Sequence, residues 1–232
     1  MIRRVLSQRP DPIVFLATPL GKDGKMSIGT ANFCSFIDQR PNVSWGHVKT
    51  CSPEMSRNVL IEDHLENSNE WTHILFTDSD IAPEPDALDK LLAMDTAVAT
   101  GIYPLNLEGG LYWNVSVDGE KLIPIHEELP SENEPFDIKV AGAGLLLVRR
   151  EVLVMMGWPW FKMSYQPKYE NNGVSIKQGE DTFFCRKVTE LGYEIKAHPL
   201  VRCGHNNPVD LLEMYNKLKL QIETKHAGAA KV

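Results

Sequence analysis

The sequence predicts an α/β protein with a mixed, mostly parallel central sheet flanked by helices. Short apolar runs of strand length alternate with helical segments through the first half of the chain, and residues typical of helix starts and stops separate them. The composition agrees with this class, because 43% hydrophobic and 24% charged residues over 232 positions are typical of one large globular domain.

Apolar runs and helix caps define the elements of the first half. Buried strands are predicted at 13–17, 73–77 and 97–103. Ser52 is a typical N-cap and Pro53 suits a first turn, so a helix begins here and runs to about Asn67. Another helix follows the strand 73–77, with Pro85 in its first turn and leucines along one face.

The next part of the chain is predicted to form a hairpin and further strands. Apolar and polar residues alternate over 111–117, a turn follows at Asp118 and Gly119, and the chain returns over 121–125. Two more strands are predicted, at 136–140 and, after a glycine-rich segment, at 145–148.

Two helices are predicted in the last part of the chain. The first spans about 180–191 and ends at Gly192, a typical residue after a helix C-terminus. Apolar residues at helical spacing mark an amphipathic terminal helix at about 208–226, and we expect 227–232 to form a flexible tail. The whole of 1–226 is predicted to form a single domain.

Charge and hydropathy exclude several classes of protein. Lys and Arg number 24 against 31 Asp and Glu, and the net charge of −7 argues against broad nucleic-acid binding. No run approaches the roughly 18 apolar residues that cross a membrane, and the charged segment 1–10 lacks the apolar core of a secretory signal. The four cysteines suit free thiols in a reducing compartment, so we expect a cytoplasmic protein.

The first candidate site is formed by Asp78, Ser79 and Asp80. These residues follow the predicted strand 73–77, and ligands bind at the carboxyl ends of strands in open α/β sheets. Two carboxylates this close need a counter-charge, which a divalent cation with oxygen ligands supplies. Such an ion would bridge the phosphates of a nucleotide. The structural alternative is an acidic turn that caps the next helix.

Two further segments carry candidate residues. Glu180 and Asp181 open a predicted helix, after a turn-rich loop at Asn171 and Asn172. Favourable interaction with the helix dipole is the structural alternative for this acidic pair. His205 follows an apolar run, and a neutral imidazole there would complete a metal site; the alternative is a histidine with a structural role.

Taken in order, these segments resemble the GT-A fold glycosyltransferases, most closely the family 2-like enzymes of bacteria and phages. The likeness covers about 13–206. It rests on a strand ending at Thr18-Pro19, a helix with Ser56-Arg57-Asn58, the aspartate motif at 75–81, the glycine-rich strand at 141–150, the segment 179–193 and His205. The resemblance implies a GT-A fold, and the host cytoplasm as the location if a phage encodes the protein.

The resemblance also implies the metal and catalytic groups. Asp80 and His205 would bind the same Mn²⁺ or Mg²⁺ ion, and Asp78 would reach this ion through water or contact the ribose. Asp181 would accept the proton of the acceptor hydroxyl in an inverting displacement. Glu180 would hold nearby acceptor or loop groups.

A donor site is implied as well. Thr18, Pro19 and Ser79 would bind the donor, and Arg57 would contact its pyrophosphate or base. The alternative for Arg57 is an arginine on the surface of its helix. The expected donor is a nucleotide-diphospho-sugar of the UDP type. The acceptor is open among a saccharide, a protein, a small molecule and a modified nucleobase, and so is the oligomeric state. Aromatic residues at 158–161 suit either sugar binding or core packing.

Two other functions fit the sequence. A nucleotidyltransferase that forms nucleotide-sugars has a related sheet and similar divalent-metal chemistry, and 20–25 is a weak version of its glycine-rich phosphate loop. A carbohydrate-binding protein would have the same fold without turnover, although the acidic residues and the histidine count against it.

Overall fold

The computed structural model describes residues 11–68, 70–107, 110–168, 173–206 and 211–229. The segment 1–10 and the predicted turn at Asn171 and Asn172 lie outside these residues, as does the end of the expected tail, 230–232. No helix among the described residues is long and apolar enough to cross a lipid bilayer.

Helices and strands alternate along the described chain. The helices are α1 (Ile28–Asp38), α2 (Pro53–Asn67), α3 (Ala87–Ala93), α4 (Arg150–Met156), α5 (Glu180–Glu190) and α6 (Leu211–Ala229). The strands are β1 (Val14–Leu20), β2 (Val43–Lys49), β3 (His73–Thr77), β4 (Ile81–Ala82), β5 (Val98–Ile102), β6 (Pro104–Leu107), β7 (Gly110–Trp113), β8 (Val115–Ser116), β9 (Phe136–Ile138), β10 (Val140–Ala141), β11 (Leu145–Arg149), β12 (Ser164–Lys168), β13 (Gly173–Gln178), β14 (Ile195–Arg202) and β15 (Gly204–His205).

The central sheet has seven strands in the order β2-β1-β3-β11-β5-β14-β9. Strands β2, β1, β3, β5 and β14 run in one direction, whereas β11 and the edge strand β9 run against their neighbours. The sheet is therefore mixed and mostly parallel, which confirms the predicted class. Because β11 runs antiparallel beside β3, the end of β3 meets the start of β11, where Asp78 N donates to Gly144 O at 2.9 Å.

Helices cover both faces of this sheet. On one face α2, α4 and α5 contribute Leu60, Leu153 and Phe184 to a buried apolar cluster. On the other face α1 and α3 contribute Ile37 and Leu91 to a second cluster. Full burial of each such side chain stabilises the fold by about 1.5–3 kcal/mol, so packing on both faces holds the strand ends in place.

Local chemistry sets the helix boundaries much as predicted. Ser52 is the N-cap of α2, and its hydroxyl oxygen accepts a hydrogen bond from Met55 N at 3.2 Å. Gly192 follows α5 with a φ of 84°, a conformation that favours glycine. Pro85 differs from the prediction, because it precedes α3 and is not part of its first turn.

The two arms of the predicted hairpin do pair, although the return arm is not a regular strand. Strand β7 pairs with β6, which the sequence did not indicate, and β8 pairs with β10. The predicted return segment, 121–125, forms no regular strand but is bonded to 111–115. Trp113 N donates to Ile123 O at 2.8 Å and Ile125 N donates to Leu111 O at 3.1 Å, on either side of a bridge between Tyr112 and Pro124. Strand β6 begins at Pro104 and contains an asparagine, and both residue types are rare in strands, so its pattern was not recognised.

The terminal helix α6 extends to Ala229, beyond the predicted end at 226. It is attached to the β6-β7 pair, since Leu111 N donates to Gln221 Oε1 at 3.1 Å and Lys217 Nζ donates to Asn106 Oδ1 at 3.0 Å. The single-domain organisation stays a prediction.

Candidate active site

Two segments that are distant in sequence meet just past the carboxyl end of β3. Strand β4 pairs with β15 in a register that sets Ile81 opposite His205. A hydrogen bond from Asn206 N to Asp80 O, at 2.7 Å, holds the same two segments together. The Asp80 carboxylate and the His205 ring therefore come together, with 3.4 Å between Oδ2 and Nε2.

The His205 ring is oriented through its other nitrogen. Nδ1 lies 2.7 Å from the carbonyl oxygen of Pro104, so in the neutral ring the proton sits on Nδ1 and the lone pair on Nε2. Tyr103 packs edge-on against the ring at 5.5 Å between centroids. The hydrogen bond to Asp80 raises the pKa of His205. The imidazole is 14% exposed and the Asp80 carboxylate 40%, so a ligand from solvent can reach both.

A buried arginine lies beneath Asp78 and the start of α5. Arg57 projects from α2 and is 2% exposed. Its Nη2 donates to both carboxylate oxygens of Asp78, at 2.7 and 2.8 Å, and its Nη1 donates to Glu180 Oε1 at 3.0 Å. Asp181 Oδ1 lies 3.8 Å from the same Nη1. One guanidinium thus joins the two acidic segments that the sequence marked as candidates.

This arginine rests on aromatic rings that α2 also organises. The Phe161 ring centroid lies 5.5 Å from the guanidinium carbon, and the ring stacks on Phe184 of α5 at 4.6 Å. Asn58 Oδ1 accepts from the backbone N–H groups of Trp160 and Phe161, and its Nδ2 donates to Phe161 O. Within the aromatic segment considered for acceptor binding, Trp160 and Phe161 are therefore core residues, whereas Trp158 is exposed.

Asp181 has an unusual electrostatic environment. Burial, together with the carboxylates of Glu180 and Asp78, outweighs the attraction of Arg57 and raises the pKa of Asp181 to about 7. Its Oδ1 is buried and has no hydrogen-bond partner among the described residues, although the side chain as a whole is 30% exposed. A carboxylate in this state can take up a proton near neutral pH.

The glycine-rich segment before β11 is explained by Tyr103, a residue that the sequence analysis missed. Tyr103 is buried after β5, and its hydroxyl oxygen accepts a hydrogen bond from Gly144 N at 3.0 Å. A Cβ on Gly144 would lie 2.6 Å from that oxygen, and a Cβ on Gly142 would also clash with it. The glycines therefore make room for the phenol ring, and a glycine pattern alone does not name the residue that fills the space.

The structure places the Thr18 side chain in the core, and the role of Thr18 in donor binding stays a prediction. Thr18 and Pro19 are both buried near the end of β1. The Thr18 hydroxyl accepts from Trp45 Nε1 at 3.0 Å and lies 3.7 Å from Cys34 Sγ, so it is used in packing β1 against β2 and α1. Side chains alternate along a strand, and this one points into the core.

Two other donor-side residues are placed as follows. Ser79 is half-buried in the turn after β3, and its carbonyl accepts a hydrogen bond from Ser27 N at 2.7 Å. Arg57 is neither a surface arginine nor open to a pyrophosphate or base, because burial and its carboxylate partners enclose the guanidinium. Its contact with the donor stays a prediction, which the burial of the guanidinium does not favour.

The acidic and imidazole groups form an incomplete set of metal ligands. In the described part of the chain, no group of three or more His, Cys, Asp or Glu side chains is arranged to hold a metal ion. Asp80 and His205 meet, but both carboxylate oxygens of Asp78 are bonded to Arg57. Two protein ligands suit a hard cation that takes its other ligands from phosphate oxygens and water.

Similarity to known proteins is limited to solved structures. No protein-family model and no curated protein matches the sequence. A197 from STIV superposes with a TM-score of 0.58 over 84% of this chain and 86% of that chain, at 16% identity. GalNAc-T7, solved with UDP, GalNAc and Mn²⁺, superposes with a TM-score of 0.53 at 12% identity; the match covers 86% of this chain and 44% of that chain. These likenesses concern the fold, and the predicted GT-A fold is confirmed.

Proposed function

We propose that this chain is a metal-dependent glycosyltransferase that moves a sugar from a UDP-sugar to an acceptor hydroxyl with inversion at the anomeric carbon. The observation that carries the proposal is the meeting of Asp80 and His205 at the carboxyl edge of the sheet, 3.4 Å apart. A GT-A fold puts the donor at this edge, and the acidic pair of α5 faces the same region through Arg57.

The metal part of the proposal rests on the chemistry of two side chains. Asp80 and His205 would hold Mn²⁺ or Mg²⁺, and the hydrogen bond of the His205 ring to Pro104 O is the support that histidine ligands usually have. When bound, the cation offsets the charge of the departing diphosphate. Asp78 acts indirectly in this scheme, because Arg57 occupies its carboxylate.

Asp181 is the group we assign as general base. It accepts the proton of the acceptor hydroxyl while that oxygen bonds to the anomeric carbon, and the bond from this carbon to the diphosphate oxygen breaks, releasing the nucleoside diphosphate. A pKa of about 7 for Asp181 suits this role, because a base near the working pH is effective both at holding and at releasing a proton. Glu180 then holds the arginine beside the base.

The choice of UDP follows the sequence resemblance, and GalNAc-T7 with its bound UDP and Mn²⁺ is in keeping with it. We expect the nucleotide to lie over the ends of β1 and β3. Because the Thr18 hydroxyl is bonded to Trp45, contacts there would come from the backbone and from Ser79. The acceptor stays open among a saccharide, a protein, a small molecule and a modified nucleobase.

The first test is calorimetric titration of the protein with UDP, with Mn²⁺ present or removed by EDTA. Asp80→Asn and His205→Asn should each weaken Mn²⁺-dependent UDP binding at least about tenfold, since each loses one of two protein ligands. Asp89→Asn is the matched control, because Asp89 is exposed and paired with Arg40 on the surface. Equal UDP affinity in EDTA, or unchanged affinity in both site variants, would contradict the proposal.

Turnover is tested by UDP release from a panel of UDP-sugars. Inversion predicts that hydrolysis of an α-linked donor first yields the β-anomer of the sugar, which proton NMR detects. Pyrophosphate release from UTP and a sugar-1-phosphate would instead favour the nucleotidyltransferase. Binding of glycans without nucleotide or metal would favour the carbohydrate-binding protein.

A further inference from the structure

The guanidinium of Arg57 is shared by carboxylates from two separate parts of the chain. Asp78 follows β3 on the donor side, whereas Glu180 and Asp181 begin α5 on the side of the assigned base. Nη2 is bonded to both oxygens of Asp78, and Nη1 faces the two carboxylates of α5 at 3.0 and 3.8 Å. The position of one acidic group is therefore tied to the position of the others.

The surroundings make this link rigid. Arg57 is almost fully buried, and Phe161 packs against the guanidinium and is itself held by Asn58. A buried charge is costly unless it is paired, so the arginine cannot leave its partners without a large loss of stability. A lysine would not replace it, because an ammonium is a point charge without the planar fork that reaches two sites at once.

We propose that Arg57 is a positioning residue of the transfer reaction, which sets the Asp181 carboxylate at a fixed distance from donor-side Asp78 without contacting the donor. The proposal rests on the proposed function, and it replaces the pyrophosphate contact expected from the sequence. Its reason is geometric: proton transfer requires the base within hydrogen-bond reach of a hydroxyl that is aligned with the donor, and a displacement of about 1 Å can cost about 100-fold in rate.

Arg57→Lys separates the two roles kinetically. With Mn²⁺ and the best UDP-sugar of the panel, kcat for UDP release should fall about 10–100-fold while KM for the donor changes less than about threefold. Arg40→Lys is the matched control, because Arg40 also donates two hydrogen bonds to one carboxylate, that of Asp89, but on the surface. An unchanged kcat in folded Arg57→Lys would overturn the proposal. A raised KM with kcat retained would also overturn it, and would instead support a direct contact between Arg57 and the donor.

A second measurement does not depend on turnover. The charged and titratable groups around Asp181 are Arg57, Glu180, Asp78, Tyr103 and Cys185. Carbon NMR of aspartate-labelled protein, assigned with Asp181→Asn, reports the titration of this carboxyl. Glu180→Gln removes a neighbouring like charge, so the pKa of Asp181 should fall below about 7, and Arg57→Met removes the cation, so it should rise.

These two readouts distinguish the proposals. If the wild type releases UDP but the Asp181 midpoint is the same in wild type and Arg57→Met, the inference is overturned and the proposed function stands. If the midpoint moves as stated but the wild type releases UDP from no donor, the transfer function is refuted and, with it, the catalytic purpose of the link. Should Arg57→Met fail to fold, the kcat and KM of Arg57→Lys still decide the outcome.

Discussion

Replacing Asp181 with asparagine should stabilise the protein, and more so at higher pH. The folded state raises the pKa of Asp181 from the ordinary 3.8 to about 7, so it binds the proton more tightly than the unfolded chain does. As pH rises from about 4 to about 7, the wild type therefore loses stability through this group. Asparagine resembles the protonated acid and does not ionise, so the variant does not lose this stability. It also lacks the carboxylate that we assign as the base.

The size of the gain follows from the two pKa values of Asp181. Relative to acid pH, the raised pKa of Asp181 lowers the stability of the folded state by up to about 2 kcal/mol at pH 5 and about 4 kcal/mol at pH 8, at about 1.4 kcal/mol per pH unit. The side chain is 30% exposed, and solvent screens part of this cost. We expect the stabilisation to be ~1–2 kcal/mol larger at pH 8 than at pH 5.

Urea unfolding followed by tryptophan fluorescence, at pH 5 and pH 8, measures this difference. Asp118→Asn is the control with the opposite sign. Backbone N–H groups of Lys121 and Glu120, with the Ser116 hydroxyl, lower the pKa of Asp118 to about 2, so that variant loses hydrogen bonds and gains no stability. An Asp181→Asn gain of equal size at both pH values would refute the electrostatic reasoning.

Two packing predictions concern the supports of the site. Gly144→Ala should destabilise the fold by about 1–3 kcal/mol, because the new Cβ would press on the Tyr103 hydroxyl. The control Gly179→Ala should be nearly neutral, since the space around its Cβ is open. Equal effects of the two substitutions in thermal unfolding would contradict this prediction. Asn58→Ala should lower the free energy of unfolding by about 2–4 kcal/mol, since it leaves the buried backbone groups of Phe161 without partners. A decrease under about 1 kcal/mol in urea unfolding would count against these hydrogen bonds.

Some of the site was predictable because its signals are local. The carboxylates of Asp78 and Asp80 follow a strand whose apolar run is complete in the sequence, and the acidic pair of α5 follows a helix start. The meeting of Asp80 with His205 was expected from the ordered resemblance, and their 3.4 Å separation agrees with it. Their roles as metal ligands stay predictions.

The environment of other residues was not predictable from the sequence, because it is set by distant contacts. The inward direction of Thr18 depends on Trp45 of the neighbouring strand, and the burial of Arg57 depends on α5, which lies far along the chain. Tyr103 had no motif of its own, since its significance comes from the space that Gly144 leaves open.

The sequence by itself determined the α/β class, several of the strands and helices around the site, the N-cap of α2 and the glycine after α5, because hydrophobic period and cap chemistry act over a few neighbouring residues. Only the tertiary structure decided which strands pair and which charges share a buried space. Those outcomes depend on the order of strands in the sheet, which brings Asp78, Arg57 and Asp181 together and makes burial, and not sequence spacing, the source of their chemistry.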